Sequence, residues 1–404
     1  MGDDEEILRQ ALEQAVPAYA AKKVSTSLLG QPSPDNTILD PVCAAIEKCN
    51  AYRAVAGHML FSAGAGVVIH APRLATDLVY RAERGISDAV EWLLRLLSTR
   101  EVNGILKAAI WGLSIDEEIP LSGLSKLMPF ESLPDSRLKD IILHRSRQMY
   151  DNSAWLSTQW FDQPRAAFIT EVSNFPYIGT DGAAFQRMEE LVWEARDLWT
   201  LIEATSVGHP LAFGYWFEYE DGDLDIAQWE NNIFWSLPEI VPQIPACTTA
   251  DANLLKQDIR QYMALSEKLR FDLLRSMDRF TLSQCRRQVI DRVLDLALAF
   301  EIAVSGDGGN APPGWKVSVR AAQMIGGALG KRQAYRETIN ELYRIRNQAT
   351  HGSSLNNLKR KQTDALESSA AIFRDLVRSF LRLGGTPDWD AIELEPIFRG
   401  DDAP

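Results

Sequence analysis

The stretch that decides the fold of the C-terminal third is Glu341-Leu-Tyr-Arg-Ile-Arg346-Asn347-Gln-Ala-Thr-His351-Gly352. The apolar and aromatic positions in and before it (335, 339, 342, 343, 345 and 349) are spaced as on one buried face of a helix with 3.6 residues per turn. Arg346 falls within that apolar arc. Burying a cation is unfavourable by several kcal/mol unless the cation is paired or faces water. We therefore expect Arg346 to have a partner or to face a wet cleft.

Three polar residues of this helix form a candidate catalytic group. Asn347 and His351 are four residues apart, so they share one helix face with each other. A histidine exchanges protons near neutral pH, and an arginine is a permanent planar cation suited to phosphate. The set Arg346, Asn347 and His351 therefore predicts cleavage of a phosphodiester by general acid–base chemistry, without a metal.

Two other Arg–His pairs in the chain have a similar spacing and test how specific it is. They are Arg53 with His58, and Arg137 with His144. Both arginines are followed by an apolar residue, whereas Arg346 is followed by a polar amide. We interpret the two earlier pairs as ordinary helix-surface or capping pairs.

On these residues, the C-terminal third resembles the HEPN superfamily of helical-bundle ribonucleases, and most closely the ApeA-like HEPN type of bacterial anti-phage defence proteins. That type tends to carry the string Leu-Tyr-x-x-Arg-x-x-x-x-His-Gly. The matching residues here are Leu342, Tyr343, Arg346, His351 and Gly352. Segments 294–301 and 315–322 also look like the helices that precede the motif helix in that group. The resemblance covers about residues 251–385.

The resemblance implies a metal-independent endoribonuclease that leaves 2′,3′-cyclic phosphate ends and needs no cofactor. In the implied mechanism, His351 acts as general base or acid, Arg346 stabilises the pentavalent phosphate, and Asn347 orients the phosphate or the histidine. The family also implies a homodimer in which two motif helices form one composite cleft. The alternative is a catalytically inactive HEPN-like dimerisation or RNA-binding module. In that alternative Arg346 pairs with a buried acid and His351 caps its helix.

Other residues near the motif are candidates for contacts with RNA. They are Tyr343, Thr350, Lys359, Arg360 and Lys361. The net charge of the chain is −13, but residues 331–382 contain eleven Lys or Arg and five Asp or Glu, a local balance of +6. Such asymmetry suggests a basic working face on an acidic body. The basic run 359–361 fits either an RNA backbone contact or a solvated helix start.

Composition places further limits on the chain. Its 404 residues, 46% of them hydrophobic, are enough for two or three domains with real cores. The acidic N-terminus lacks a signal-peptide pattern, and the most apolar stretch, 58–71, is too short for a membrane span. The four cysteines show no zinc spacing, so we expect reduced core thiols in a cytoplasmic protein that does not associate with a membrane.

The pattern along the chain predicts an α+β N-terminal region followed by an all-α, HEPN-like antiparallel helical bundle, so the protein is expected to be predominantly helical. We place the N-terminal region at 1–245, the bundle at 251–385 and a C-terminal tail at 386–404. The N-terminal region is expected to sense a phage-derived trigger or to restrain the nuclease, and a cognate antitoxin is a second kind of partner. An Asp-Gly pair at 221–222 predicts a hairpin turn. The expected bundle helices are 253–280, 284–304, 315–329, 333–351 and 362–383.

Overall fold

A computed structural model describes most of the chain. The described residues are 2–25, 35–62, 65–121, 123–151, 163–179, 183–206, 210–224, 234–235, 247–286, 288–305, 314–350 and 360–394. Within them the helices are α1 Asp3–Ser25, α2 Asn36–Lys48, α3 Asn50–Arg53, α4 Ala71–Ala82, α5 Ile86–Ser98, α6 Arg137–Asp151, α7 Ala183–Thr205, α8 Ala252–Ala264, α9 Glu267–Cys285, α10 Val289–Val304, α11 Gly314–Ile325, α12 Leu329–Thr350, α13 Arg360–Leu383 and α14 Trp389–Leu394. The strands are β1 Met59–Ser62, β2 Ala65–Val68, β3 Glu101–Trp111, β4 Leu113–Ser114, β5 Ile119–Pro120, β6 Ser125–Pro129, β7 Ala166–Pro176, β8 Ile178–Gly179, β9 Leu211–Tyr219, β10 Phe234–Trp235 and β11 Thr248–Thr249.

The strands form three sheets. The largest has the order β10-β9-β3-β7-β6-β5, and the second has the order β2-β1-β8. Strands β4 and β11 form a short parallel pair. In the largest sheet β3 approaches β9 very closely, because a Cβ on Gly104 would lie only 2.4 Å from the carbonyl oxygen of Glu218. Only glycine fits at that position without a backbone shift.

The chain divides into two compact units. The first consists of Met1–Lys107, Thr170–Val192 and Tyr215–Phe234. Its helix α1 turns a stripe of fully buried or nearly buried residues toward α2 and α5: Leu8, Leu12, Ala15 and Tyr19. Asp4 joins this helix to the next elements, because its carboxylate accepts hydrogen bonds from the backbone N–H groups of Asn50 (2.9 Å) and Ala51 (3.1 Å) at the start of α3.

The second unit consists of Ala108–Ile169, Trp193–Gly214 and Trp235–Pro404. Its C-terminal part is helical, and the core there lies among α9, α10 and α13. The Phe373 ring stacks on Phe280 at 4.7 Å between centroids and meets Phe300 edge-on at 5.2 Å. Asp295 on α10 accepts from Arg279 of α9 (3.3 Å) and from Arg286, the residue that follows α9 (2.7 Å). These contacts fix α10 in the middle of the helical part, where it also packs against α12.

The expected division into a sheet-containing N-terminal region and a helical C-terminal part is confirmed. Two local predictions are wrong. The single helix expected at 253–280 is two helices, because Ser266 caps α9 by accepting a hydrogen bond from the Leu269 N–H (3.4 Å). The hairpin turn expected at Asp221-Gly222 is instead the start of a 3-10 turn, Gly222–Leu224. The segment 386–404, expected as a tail, contains α14, which packs against α11. No described helix is long and apolar enough to cross a membrane.

Candidate functional site

Helix α12 carries the candidate catalytic group. Gly326 and Gly327, both with positive φ (78° and 95°), end α11 and turn the chain into α12. The helix then buries one face against α10, α11 and α13. The fully buried or nearly buried residues of that face are Ile339, Leu342, Tyr343 and Ile345. Hydrophobic spacing in the sequence is sufficient to identify this face, which sets the direction in which Arg346 emerges.

Tyr343 is held firmly between α10 and α11. Its hydroxyl donates a hydrogen bond to the backbone oxygen of Ala297 on α10 (3.3 Å). Burial, followed by the nearby Glu301 carboxylate, raises the pKa of Tyr343 above its ordinary range. A Cβ on Gly314 would lie 2.6 Å from the Tyr343 ring, so the ring packs directly on the first residue of α11. The position predicted to contact RNA is therefore mainly a structural anchor of the helix.

Arg346 lies at the edge of the buried face, and its side chain is 38% exposed. Its Nη2 is 3.8 Å from Oε1 of Glu301 on α10, and its Nη1 is 3.4 Å from Oδ1 of Asn347. Charge-assisted hydrogen bonds between arginine and a carboxylate are usually about 2.7–2.9 Å long. The guanidinium is therefore oriented by Glu301 and Asn347 without being enclosed by them, and it can accept an anion.

The other predicted residues are only partly described. Asn347 is exposed and places its carbonyl oxygen toward Arg346. Thr350 is the last residue of α12, and its side chain is not described. His351 and Lys359 lie outside the described residues.

The described part of the basic run lies at the start of α13. Arg360 and Lys361 are both exposed. The hydrogen bond from Arg344 lowers the pKa of Glu341 on α12, and the Lys361 ammonium contributes to the same shift. Nearby, the Gln362 amide donates to Gln348 (3.3 Å) and joins the start of α13 to the end of α12. Lys361 thus lies beside the helix that carries Arg346.

No sequence pattern assigned a role to Glu301, the acid that lies 3.8 Å from Arg346. It is the last residue of segment 294–301, which the sequence predicts only as a helix. Its side chain is 13% exposed, and its carboxylate acts on both Tyr343 and Arg346. A glutamate in an otherwise apolar helix end was the available signal, but its partner depends on how α10 packs against α12.

Arg53, from the Arg53–His58 pair, behaves as expected. The Arg53 guanidinium donates to the backbone oxygen of Lys48, the last residue of α2, so it caps a helix C-terminus.

The cysteine prediction is correct only in part. Cys49 and Cys285 are buried and Cys43 is half-buried, but Cys247 is exposed and is therefore no core thiol. Among the described residues, no group of three or more His, Cys, Asp or Glu side chains is arranged to hold a metal ion.

Comparisons with protein-family models, with curated proteins and with solved structures find no match for this chain. The residues of α12, with the side chains that α10 and α13 bring beside them, therefore carry the functional assignment proposed below.

Proposed function

We propose that this chain is a metal-independent HEPN-type endoribonuclease that cuts RNA and leaves 2′,3′-cyclic phosphate ends, in anti-phage defence or as a toxin. The observation that carries the proposal is the state of Arg346. Its side chain is 38% exposed, and its contact with Glu301 is a long 3.8 Å. A cation held in this way keeps the capacity to bind a phosphate.

The chemistry follows from the residue types. His351 removes the proton from the ribose 2′-hydroxyl, and the 2′-oxygen then attacks phosphorus. The bond to the 5′-oxygen breaks, and that oxygen takes up a proton from the general acid. Arg346 stabilises the added negative charge on the pentavalent phosphate, and Asn347 holds the guanidinium or the phosphate in place. A second copy of the chain, meeting the first along α12, would supply the other acid–base group of a composite cleft.

Cleavage by the purified full-length protein tests the proposal, with Arg346→Ala compared against Arg344→Ala. Arg344 is the matched control because it lies on the same helix, is more exposed (54%) and pairs with Glu341. We expect Arg346→Ala to lower the cleavage rate by about 10²–10³-fold, the usual loss for one transition-state donor. Arg344→Ala should keep the wild-type rate. Equal rates for the two variants would exclude Arg346 from the mechanism.

A cellular readout tests the same residues. We expect induced wild-type protein to arrest growth and His351→Ala to abolish the arrest, because His351 is the proton-transfer residue of the motif. Soluble expression at the wild-type level is the control for folding. Full toxicity of His351→Ala would remove this histidine from the mechanism. RNA binding without cleavage by the wild type would instead support the inactive-module alternative.

A further inference from the structure

A cavity of about 560 Å³ lies beside the candidate site, within the helical part of the second unit. Its walls come from the first half of α9, the second half of α10, Phe380 on α13, and the segment 386–389 at the start of α14. This volume falls within the range of about 300–1,000 Å³ that is typical of ligand pockets. It is large enough for a nucleobase with its sugar.

Trp389 forms an aromatic wall of this cavity. The Arg320 guanidinium lies over its ring at 4.8 Å, and the Phe380 ring meets it edge-on at 6.2 Å. Arg320 is itself fixed, because it donates to the backbone oxygen of Val304 (2.6 Å) and to Glu393. The indole is therefore held in one orientation before any ligand arrives. Pre-oriented aromatic rings of this kind are the platforms on which unpaired RNA bases stack.

Three of the four charged side chains that line the cavity come from one face of α9. Lys268, Asp272 and Arg275 all line it and are spaced as i, i+4 and i+7, which places them in one row. The two cations suit a phosphate backbone. A carboxylate accepts hydrogen bonds from the amino group of a base, such as N4 of cytosine. The row therefore combines groups for the backbone and for a base edge.

Glu301 connects the cavity to the candidate catalytic group. It lines the cavity, and the same side chain lies 3.8 Å from Nη2 of Arg346. Glu301 therefore belongs both to the cavity wall and to the surroundings of the proposed phosphate-binding cation. An RNA strand whose phosphate contacts Arg346 can place a neighbouring base in the cavity.

We propose that this cavity binds a base of the RNA next to the cleaved phosphate, stacked on Trp389 and hydrogen-bonded to Asp272. The inference rests on the proposed function in taking RNA as the ligand. It adds a selectivity: bases with an exocyclic amino group bind better than uracil, which has none. Cytosine and uracil differ at this group while keeping the same ring size, so they form the sharpest pair of probes.

Binding of hexacytidylate and hexauridylate to the full-length His351→Ala protein, measured by fluorescence anisotropy, tests the inference without needing cleavage. We expect the cytosine hexamer to bind about tenfold more tightly, as for one hydrogen bond to a charged group. Asp272→Asn in the same background should remove that preference. Asp364→Asn, at an exposed acid of α13 outside the cavity, should keep it.

The stacking contact has its own variants. Trp389→Leu should weaken binding of both hexamers alike, because leucine fills part of the space but offers no aromatic face for stacking. Trp389→Phe keeps an aromatic face and should largely restore binding. Thermal unfolding shows whether each variant is folded. In cleavage by wild type, uracil should be depleted at one position next to the cut sites, and Asp272→Asn should remove the depletion.

Two outcomes separate the inference from the proposed function. Equal binding of both hexamers, together with RNA cleavage that ignores the flanking base, would overturn the base-binding cavity and leave the nuclease standing. Discrimination that depends on Asp272, in a wild-type protein that cleaves no RNA, would support the cavity as an RNA-binding site and overturn the nuclease.

Discussion

The first compact unit and the helical part of the second each contain a cation beside a mostly buried glutamate, but the two cations are held differently. In the first unit, Lys107 is 3% exposed and forms a short hydrogen-bonded ion pair with Glu218. The second oxygen of Glu218 accepts from the Trp216 indole N–H at 2.7 Å. In the second unit, Arg346 is 38% exposed and lies 3.8 Å from Glu301. We call the Lys107–Glu218 pair closed, because its cation is buried and in direct contact with the acid. We call the Arg346–Glu301 pair open, because its cation is partly exposed and its contact is long.

The difference separates structural charges from functional ones. A closed pair satisfies both partners inside the protein, so its loss appears as lost stability. An open pair orients the cation but leaves it hydrated, so its loss should appear mainly as lost ligand binding or catalysis. Apolar spacing in the sequence indicated a buried face only for Arg346. Only the packing of their partners tells which use each one serves.

The largest expected effect on stability is at the closed pair. Lys107→Ala leaves the Glu218 carboxylate without its buried partner, and we expect it to reduce the free energy of unfolding by about 3–5 kcal/mol. Arg346→Ala removes an open pair and should cost less than about 1 kcal/mol. Urea unfolding followed by circular dichroism measures both. Similar losses for the two variants would remove the distinction between them.

Charge reversal tests the open pair through assembly. Arg346→Glu places a second carboxylate beside Glu301 and opposite the proposed phosphate, so we expect it to lower activity at least 10²-fold and to weaken the proposed homodimer. Light scattering and RNA cleavage measure the two effects. Arg53→Glu, at the Arg53–His58 pair outside the candidate site, should leave activity unchanged. A wild-type protein that is fully active as a monomer would refute the composite cleft.

A buried ionisable group extends the comparison to pH. Burial raises the pKa of Glu203 on α7 from 4.5 to about 8, although the Trp199 N–H donates to it at 2.7 Å. The folded protein therefore holds a proton here that the unfolded chain releases above about pH 4.5. Stability from this group is complete below pH 4.5 and falls by about 1.4 kcal/mol per pH unit until the pH reaches about 8.

Glu203→Gln should remove that pH dependence, because an amide cannot ionise. Urea unfolding of wild type and variant at pH 5, 6, 7 and 8 is the measurement, and the stability advantage of the variant should grow with pH. A constant difference across this range would show that Glu203 does not change its protonation differently in the folded and unfolded states.

The last prediction concerns the packing that positions α12. Gly314→Ala pushes a methyl group against the Tyr343 ring, where a Cβ would be only 2.6 Å away. We expect a loss of about 1–3 kcal/mol in stability and reduced cleavage, since Tyr343 and Arg346 share one helix. Gly330→Ala is the matched control, because it meets no atom within 4 Å and should stabilise the helix slightly. Unchanged activity of Gly314→Ala would separate Tyr343 from the site.

Sequence patterns predicted those parts of the fold that depend on local spacing. The buried face of α12 follows from the apolar positions alone. The break between α8 and α9 also had a local signal, the N-cap Ser266, which was overlooked inside a longer amphipathic pattern. At Asp221-Gly222 the turn signal was outweighed by tertiary contacts: Asp221 pairs with Arg95 at 3.1 Å, and the Asp223 backbone oxygen accepts from the Trp92 indole (2.8 Å).

The site itself was predictable only on one helix. Arg346 and Asn347 stand out by residue type and spacing, so the sequence could nominate them. Glu301, Asp272 and Trp389 lie on other helices, 45, 74 and 43 residues from Arg346 along the chain. Their relation to Arg346 depends on how α9, α10 and α14 pack, which no local pattern encodes.

The chemistry of the cut ends tests the central claim most directly. The measurement is cleavage of a defined RNA by the purified wild-type protein in excess EDTA, with mass spectrometry of the products. The account predicts undiminished cleavage and fragments that end in a 2′,3′-cyclic phosphate or a 3′-phosphate, because the 2′-oxygen is the nucleophile and no metal takes part. Cleavage that requires Mg²⁺ or Mn²⁺ and leaves 3′-hydroxyl ends would contradict it.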